Sequence, residues 1–173
     1  MTLIERPTDP SALDVLSLRI GLAAARALDA FTSEPVRVKW PNDLYVDDAK
    51  LAGVLVEARW RGDRLDWVAI GLGVNVDPPP EQPDAAGLEA GTSRTDVICE
   101  LLPELRAAAA MSGTLSPAEM DEYAARDLAR GRTCLEPLLG RVVGIAASGE
   151  LLVELADSIA RIRSGSLVLE PQD

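Results

Sequence analysis

Lys39-Trp40-Pro41-Asn42-Asp43-Leu44-Tyr45-Val46-Asp47-Asp48-Ala49-Lys50-Leu51-Ala52-Gly53-Val54-Leu55-Val56-Glu57 is the stretch on which the fold turns. At its head Val36, Val38 and Trp40 alternate with Arg37 and Lys39, the two-residue period of a strand with one apolar and one cationic face. Pro41-Asn42-Asp43 breaks that strand, Leu44 to Val46 resume it, and Asp47-Asp48 form a turn. Leu51 to Trp60 read as a second strand, Arg61-Gly62-Asp63-Arg64 as a hairpin turn, and Leu65 to Val76 as a third strand. The third is so apolar at its centre that burial on both faces is expected. Three strands joined by short turns predict an antiparallel meander.

Outward from the meander the chain turns helical. Residues 3–6 read as a strand end closed by Pro7, and Asp9-Pro10 as a helix start with a capping carboxylate. Leu13, Leu16, Ile20, Ala23, Ala24, Ala27 and Leu28 follow at helical spacing, predicting a helix to about Ala30 with one apolar face; Gly21 inside it marks a cost or a close-packing point. Residues 77–94, headed by Pro78-Pro79-Pro80, read as a loop. Asp96 to about Met111 reads as a helix interrupted by Pro103, and Ser116-Pro117 opens another to about Arg130. From Gly131 the composition shifts to five short strand-like runs, 133–135, 142–146, 150–155, 158–162 and 166–169, which predict a small β-barrel.

Composition narrows the chemistry. The 173 residues hold 17 Lys+Arg, 28 Asp+Glu and no His, a formal charge of −11. Without histidine no Ser-His-Asp triad, Cys-His dyad or His-ligated zinc site can be built. The acidic balance argues against a nucleic-acid surface, since phosphate backbones need clustered cations. Cys99 and Cys134 are too few for a disulfide framework and read as ordinary reduced thiols in or near the core. The first residues carry charges where a signal peptide needs an apolar run, and no stretch suits a membrane span, so a cytoplasmic location is expected.

Two segments carry candidate chemistry: Lys39 to Asp43 followed by Lys50-Leu51-Ala52-Gly53, and Gly71-Leu72-Gly73-Val74-Asn75-Val76. The meander sets the strand starting at Lys50 beside the strand ending at Asn75. Gly53, Gly71 and Gly73 would leave backbone open to a flat ligand, and Lys39 and Lys50 would supply charge for a carboxylate or phosphate. Taken singly, each residue has a plainer reading: a solvated lysine, a turn, a core tryptophan. Gly71-Leu72-Gly73 ends a strand with no helix after it and is no dinucleotide fingerprint. The residues by themselves point to an α/β domain with an anion site.

Taken together, Lys39-Trp40-Pro41-Asn42-Asp43, Lys50-Leu51-Ala52-Gly53-Val54-Leu55-Val56-Glu57 and Gly71-Leu72-Gly73-Val74-Asn75 resemble the biotin protein ligase family in order, spacing and identity. Gly140 to Ile145 and Gly149 to Val153 are similar to that family's small SH3-like C-terminal domain. The resemblance implies an α+β fold, a largely antiparallel sheet packed with helices as in class II aminoacyl-tRNA synthetases and biotin ligases. It also implies a partial catalytic domain over 1–130 and the SH3-like barrel over 131–173. It implies joining of biotin to ATP with Mg²⁺, giving biotinyl-5′-AMP and pyrophosphate. The biotinyl group then passes to a lysine of a carboxylase's biotin carboxyl carrier domain. In that setting Lys50 matches the lysine contacting the biotin carboxylate and α-phosphate. Gly53 matches a residue lining the biotin site, and Asn75 an asparagine on the nucleotide side. Lys39, Asn42 and Asp43 match the signature loop, beside phosphate or metal; the metal ligands stay unassigned.

The family's glycine- and arginine-rich loop, with the Ser/Thr and Gln contacts to the biotin ring, lies upstream of the first segment matched here. No Gly-Arg-Gly-Arg run occurs in the 173 residues. The resemblance thus covers the C-terminal two-thirds of a ligase and leaves three readings: a fragment, half of a split enzyme, or a non-catalytic binding module. A lipoate ligase-type relative is the alternative for substrate. Each predicts an exposed, partly apolar sheet face or edge, completed by a homodimer partner or an N-terminal segment.

Overall fold

The computed structural model describes residues 1–7, 9–78, 81–82 and 85–171; Pro79 and Pro80 of the expected proline run lie outside them. The large sheet comprises β1 (Thr2–Glu5), β2 (Arg37–Lys39), β3 (Asp43–Val46), β4 (Ala49–Arg61) and β5 (Arg64–Val74) in the order β1-β5-β4-β3-β2, antiparallel throughout. The meander therefore stands, with one correction. Pro41-Asn42 is a reversal between two strands, not a break within one, because Arg37, Val38 and Lys39 pair with Tyr45, Leu44 and Asp43.

Helix α1 (Leu13–Leu28) packs on one face of this sheet. Asp9 caps the preceding 3₁₀ turn by accepting from the Ser11 amide at 2.9 Å. The expected single apolar face proves too narrow. Val15, Leu18, Ile20, Leu22, Ala24, Ala25 and Leu28 are all buried, because α1 is central, between the large sheet, α2 (Arg94–Ala109) and α3 (Pro117–Arg126). Gly21 is not a close-packing point: a Cβ there would meet only Leu44 Cδ2, at 3.9 Å, an ordinary contact. The α-helix stops at Leu28, followed by a 3₁₀ turn over Asp29–Phe31.

Only one face of β5 is covered. Val68, Ile70 and Leu72 are buried, whereas Ala69, Gly71 and Gly73 line the opposite face, partly or fully open. The expectation of burial on both faces fails because α1 and its helical neighbours lie on a single side, the usual state of an antiparallel sheet. Leu55 and Ile4, 60 % and 52 % exposed, lie on that open face, as an exposed and partly apolar sheet requires.

Helix α2 runs through Pro103. Helix α3 opens at Ser116-Pro117 as the sequence predicts, and the structure adds a capping box between Ser116 and Glu119. It ends at Arg126 rather than near Arg130 because Asp127 turns extended and the Leu128 amide donates to the Val38 carbonyl at 2.9 Å. A tertiary hydrogen bond there overrides helical propensity.

The small sheet holds β6 (Thr133–Glu136), β7 (Gly140–Ile145), β8 (Leu151–Glu154), β9 (Ile159–Ile162) and β10 (Val168–Leu169), in the order β10-β6-β7-β8-β9. Five short strands occur as expected, but the ladder is an open sheet with β9 and β10 at its edges. Its core is continuous with that of α1: Cys134, Val142, Leu151 and Val153 join Val15 and Leu18. Gly149, at φ 91°, brings the β7–β8 turn against α1, where a Cβ would lie 3.0 Å from the Asp14 carbonyl oxygen. Trp40 is a core residue, 2 % exposed, and its indole donates to the Gly149 carbonyl at 3.0 Å, tying the two sheets together. Cys134 is buried and Cys99 is exposed on α2, so only one of the two thiols is a core group. Among the described residues no helix is long and apolar enough to cross a membrane.

Candidate active site

The open face of the large sheet collects the residues singled out from sequence. Lys39 pairs with Asp43 in the β2–β3 register, Asp43 with Gly53 across β3–β4, Gly53 with Gly73 and Leu55 with Gly71 across β4–β5. Because side chains alternate along a strand, these registers put Lys39, Asp43, Gly53, Gly71 and Gly73 on one face. A Cβ at Gly73 would meet no heavy atom within 4 Å, and one at Gly71 only ordinary contacts with Leu55 at 3.6 Å or more. The result is a bare backbone floor. One wall of it is built by Lys50, whose Nζ lies 2.6 Å from Asp43 Oδ1. A Cβ at Gly53 would press on this same pair, 3.3 Å from Asp43 Oδ1 and 3.7 Å from Lys50 Nζ.

Asn75 joins the two sequence segments. Its amide donates through Nδ2 to the Lys50 carbonyl at 3.2 Å, and its backbone N–H donates to the Leu51 carbonyl at 3.0 Å. The Ala86 amide also donates to the Lys50 carbonyl, at 2.9 Å. The loop that sequence left undefined thus returns to pin the start of β4, with Ala85 bridged to Lys50. Asn42 serves the scaffold: Nδ2 donates to the Val54 carbonyl at 2.7 Å while its own carbonyl accepts from the Val54 amide at 2.8 Å. One of the two donors of its side-chain nitrogen is thereby used on β4.

The electrostatics are concentrated in a few groups. Burial, together with the cations of Lys50 and Arg132, holds the Lys39 ammonium below the usual lysine range, against the opposing pull of Asp43. Its nearest aromatic partner is Tyr45, with Nζ 5.4 Å from the ring centroid. Burial and then Asp43 push the Tyr45 phenol up. Tyr45 and Arg132 were not singled out from sequence. Tyr45 is readable only as a strand residue, and Arg132 has no signal at all, since it lies just before β6, far from Lys39 in sequence. Among the described residues no group of three or more His, Cys, Asp or Glu could hold a metal ion.

A lysine beside a glycine floor on an α+β antiparallel sheet leaves room for a flat ligand and offers charge to an anionic end. Residues 2–75 match the model of the biotin/lipoate A/B protein ligase family. The chain is 31 % identical over 186 residues to the bifunctional ligase/repressor BirA of Bacillus spizizenii, covering 98 % of this chain and 57 % of that protein. It is 32 % identical over 168 residues to the biotin--[acetyl-CoA-carboxylase] ligase of Mycobacterium tuberculosis, covering 88 % of this chain and 61 % of that one. The chain thus spans little more than half the length of these relatives. In fold it is similar to the biotin protein ligase of Aquifex aeolicus solved in complex with biotin and ATP, with a TM-score of 0.78 at 24 % identity, over 99 % of this chain and 77 % of that chain.

Proposed function

We propose that the chain carries the adenylate-forming part of a biotin protein ligase, with biotin and ATP as its substrates and a lysine of a biotin carboxyl carrier domain as the final acceptor. The observation that carries this reading is the hydrogen bond from Asn75 to the Lys50 carbonyl, which brings the two ligase-like segments into one site. The family-model match over residues 2–75 and the biotin- and ATP-bound fold relative support it.

In this reading the biotin carboxylate attacks the α-phosphorus of ATP. A carboxyl oxygen–phosphorus bond forms, the α–β phosphoanhydride breaks, and pyrophosphate leaves. Lys50 meets both anions and offsets charge building on the phosphorus. Gly53, Gly71 and Gly73 give the ligand room against backbone, Asn75 lies on the nucleotide side, and Lys39 and Asp43 face the phosphates. The carrier amine then attacks the acyl carbon, forms the amide, loses a proton and releases AMP. Mg²⁺ fits as a companion of the nucleotide. It takes one or two carboxylates plus substrate phosphates rather than a protein cage, and Asp43 is a carboxylate on this face beside Lys50. Residues 131–173 are proposed as the SH3-like unit appended to the catalytic unit 1–130, and Trp40 as the link between them.

Calorimetric titration of biotin into the purified chain, with and without Mg-ATP, tests the proposal. Binding at micromolar affinity or tighter, strengthened by Mg-ATP, is the expected result. A folded chain that binds neither, or that prefers lipoate to biotin, overturns it.

A further inference from the structure

Beneath the reversal from β2 to β3, where α1 and α3 meet it, the packing leaves a gap of about 10 Å³ whose wall includes Ser17, Gly21, Pro41, Leu44 and Tyr123. Gly21 keeps it open on the α1 side, since a Cβ there would meet only Leu44 Cδ2, at 3.9 Å. Tyr123 bounds it from α3. This side chain is buried, and its Oη has no hydrogen-bond partner among the described residues. Just past the end of α3, Asp127 is buried too. Its Oδ1 accepts from the Ala129 amide at 2.9 Å, and its Oδ2 is a second buried atom without a partner. Burial first, and then the Asp127 carboxylate, push the Tyr123 phenol well up, so it keeps its proton and stays a donor.

A buried donor without a partner carries its full desolvation penalty, and native interiors rarely leave one so. The gap offers the remedy. Its volume is at the threshold for a single water molecule, which needs about two to four polar partners. The wall supplies them. The phenol donates. The Ser17 hydroxyl gives its proton to the Pro41 carbonyl at 3.3 Å and keeps its own lone pairs, and that carbonyl keeps a second lone pair. A gap lined only by carbon stays dry; this one has Tyr123, Ser17 and Pro41 in its wall.

We propose that this gap is a binding site for one buried water molecule, which accepts from the Tyr123 phenol and donates to the Ser17 hydroxyl and the Pro41 carbonyl. The water joins α3 and α1 to the reversal that carries Lys39 and Asp43, so the turn rests on a hydrogen-bonded support rather than on side-chain packing alone. The inference is independent of the ligase reading and holds whatever ligand the open face takes.

Calorimetric melting of Tyr123→Phe and Gly21→Ala tests the proposal by the sign of the shift. With a water bound, Tyr123→Phe loses one hydrogen bond, and Tm should fall by about 2–4 °C. In a dry gap the same change removes an unsatisfied hydroxyl, and Tm rises. Gly21→Ala puts a methyl group into the gap. Its better helix propensity alone would raise Tm by about 2–4 °C; expelling the water should cancel or reverse that gain. A phenol bonded directly to Asp127 over a dry gap gives a fall for Tyr123→Phe with a rise for Gly21→Ala. A Tm that does not fall for Tyr123→Phe, or that rises for Gly21→Ala, therefore overturns the proposal. If a variant fails to fold, a crystal structure of the wild-type chain that shows ordered water decides. One water within hydrogen-bond distance of Tyr123 Oη and of Ser17 Oγ or the Pro41 carbonyl is the expected result. An empty gap, or a phenol bonded to Asp127 Oδ2, overturns it.

Discussion

Replacing Gly73 by alanine should separate what the fold needs from what the ligand needs. The new Cβ would stand on the open face of β5 with no heavy atom within 4 Å, and the backbone there is not left-handed. Glycine in a strand interior costs about 0.5–1 kcal/mol relative to alanine, so the variant should be as stable as the wild type or more so by up to that amount. For a chain of this size each kcal/mol moves Tm by about 2–4 °C, giving a rise of up to roughly 4 °C. The same methyl group takes the space in which a ligand would contact backbone. Overfilling a packed contact costs about 1–3 kcal/mol, which is roughly a 5- to 150-fold loss of affinity. Gly140→Ala is the control. Its Cβ would lie 2.6 Å from the Glu154 carbonyl oxygen, so it should lower Tm. Calorimetric melting gives the stability arm, and titration of biotin and Mg-ATP gives the affinity arm. Unchanged affinity in Gly73→Ala would refute the glycine floor, and a fall in its Tm would refute the open space above β5.

The remaining expectations concern charge. Lys50→Ala should weaken biotin binding by about tenfold or more through loss of one charge-assisted contact to the carboxylate; wild-type affinity would remove Lys50 from the site. Glu119→Ala should cost about 3–5 kcal/mol, because it takes the only carboxylate bonded to Arg19, which is 2 % exposed and bonded to Glu119 Oε1 at 2.5 Å, and leaves its charge only the Gly113 and Thr114 carbonyls among the described residues. A urea-unfolding loss below about 1 kcal/mol would rank it with exposed pairs. On acidification, stability should fall below the ordinary glutamate range. Ser148 and Arg161 hold Glu150 at about 2 in the folded chain, and Glu119 lies below its usual value because Arg19 and Ser116 outweigh its burial. Both groups bind fewer protons folded than unfolded. Their contribution is therefore full above about pH 4.5 and lost as pH falls, for Glu150 through about 2. Asp127, raised by burial, runs the opposite way and softens the slope. A urea midpoint constant from pH 6 to pH 2 would contradict this balance.

What sequence made legible was local. The alternation through Val36, Val38 and Trp40, the Ser116 helix cap and the run of turns each rest on near neighbours, and the antiparallel strands followed from them. The motif residues at 39–43, 50–53 and 71–75 were readable because their order and spacing survive in one dimension. Errors arose where a distant element decides. The Val38 carbonyl captures Leu128 and ends α3 early, and three elements packed around α1 bury more than one face of it.

By itself, then, the sequence determined the strand and helix types, the acidic balance, the absence of histidine and the resemblance to biotin protein ligases. Only the tertiary structure decided which face of β5 is bare, that Asn75 and Ala86 meet at the Lys50 carbonyl, and that Arg132 crosses from the small sheet to Asp48. The reason is physical. Periodicity records which side of an element is apolar, whereas a cleft is made by which elements stop short of covering a surface. A charge gains meaning from neighbours that may lie some ninety residues away, and no local pattern encodes them.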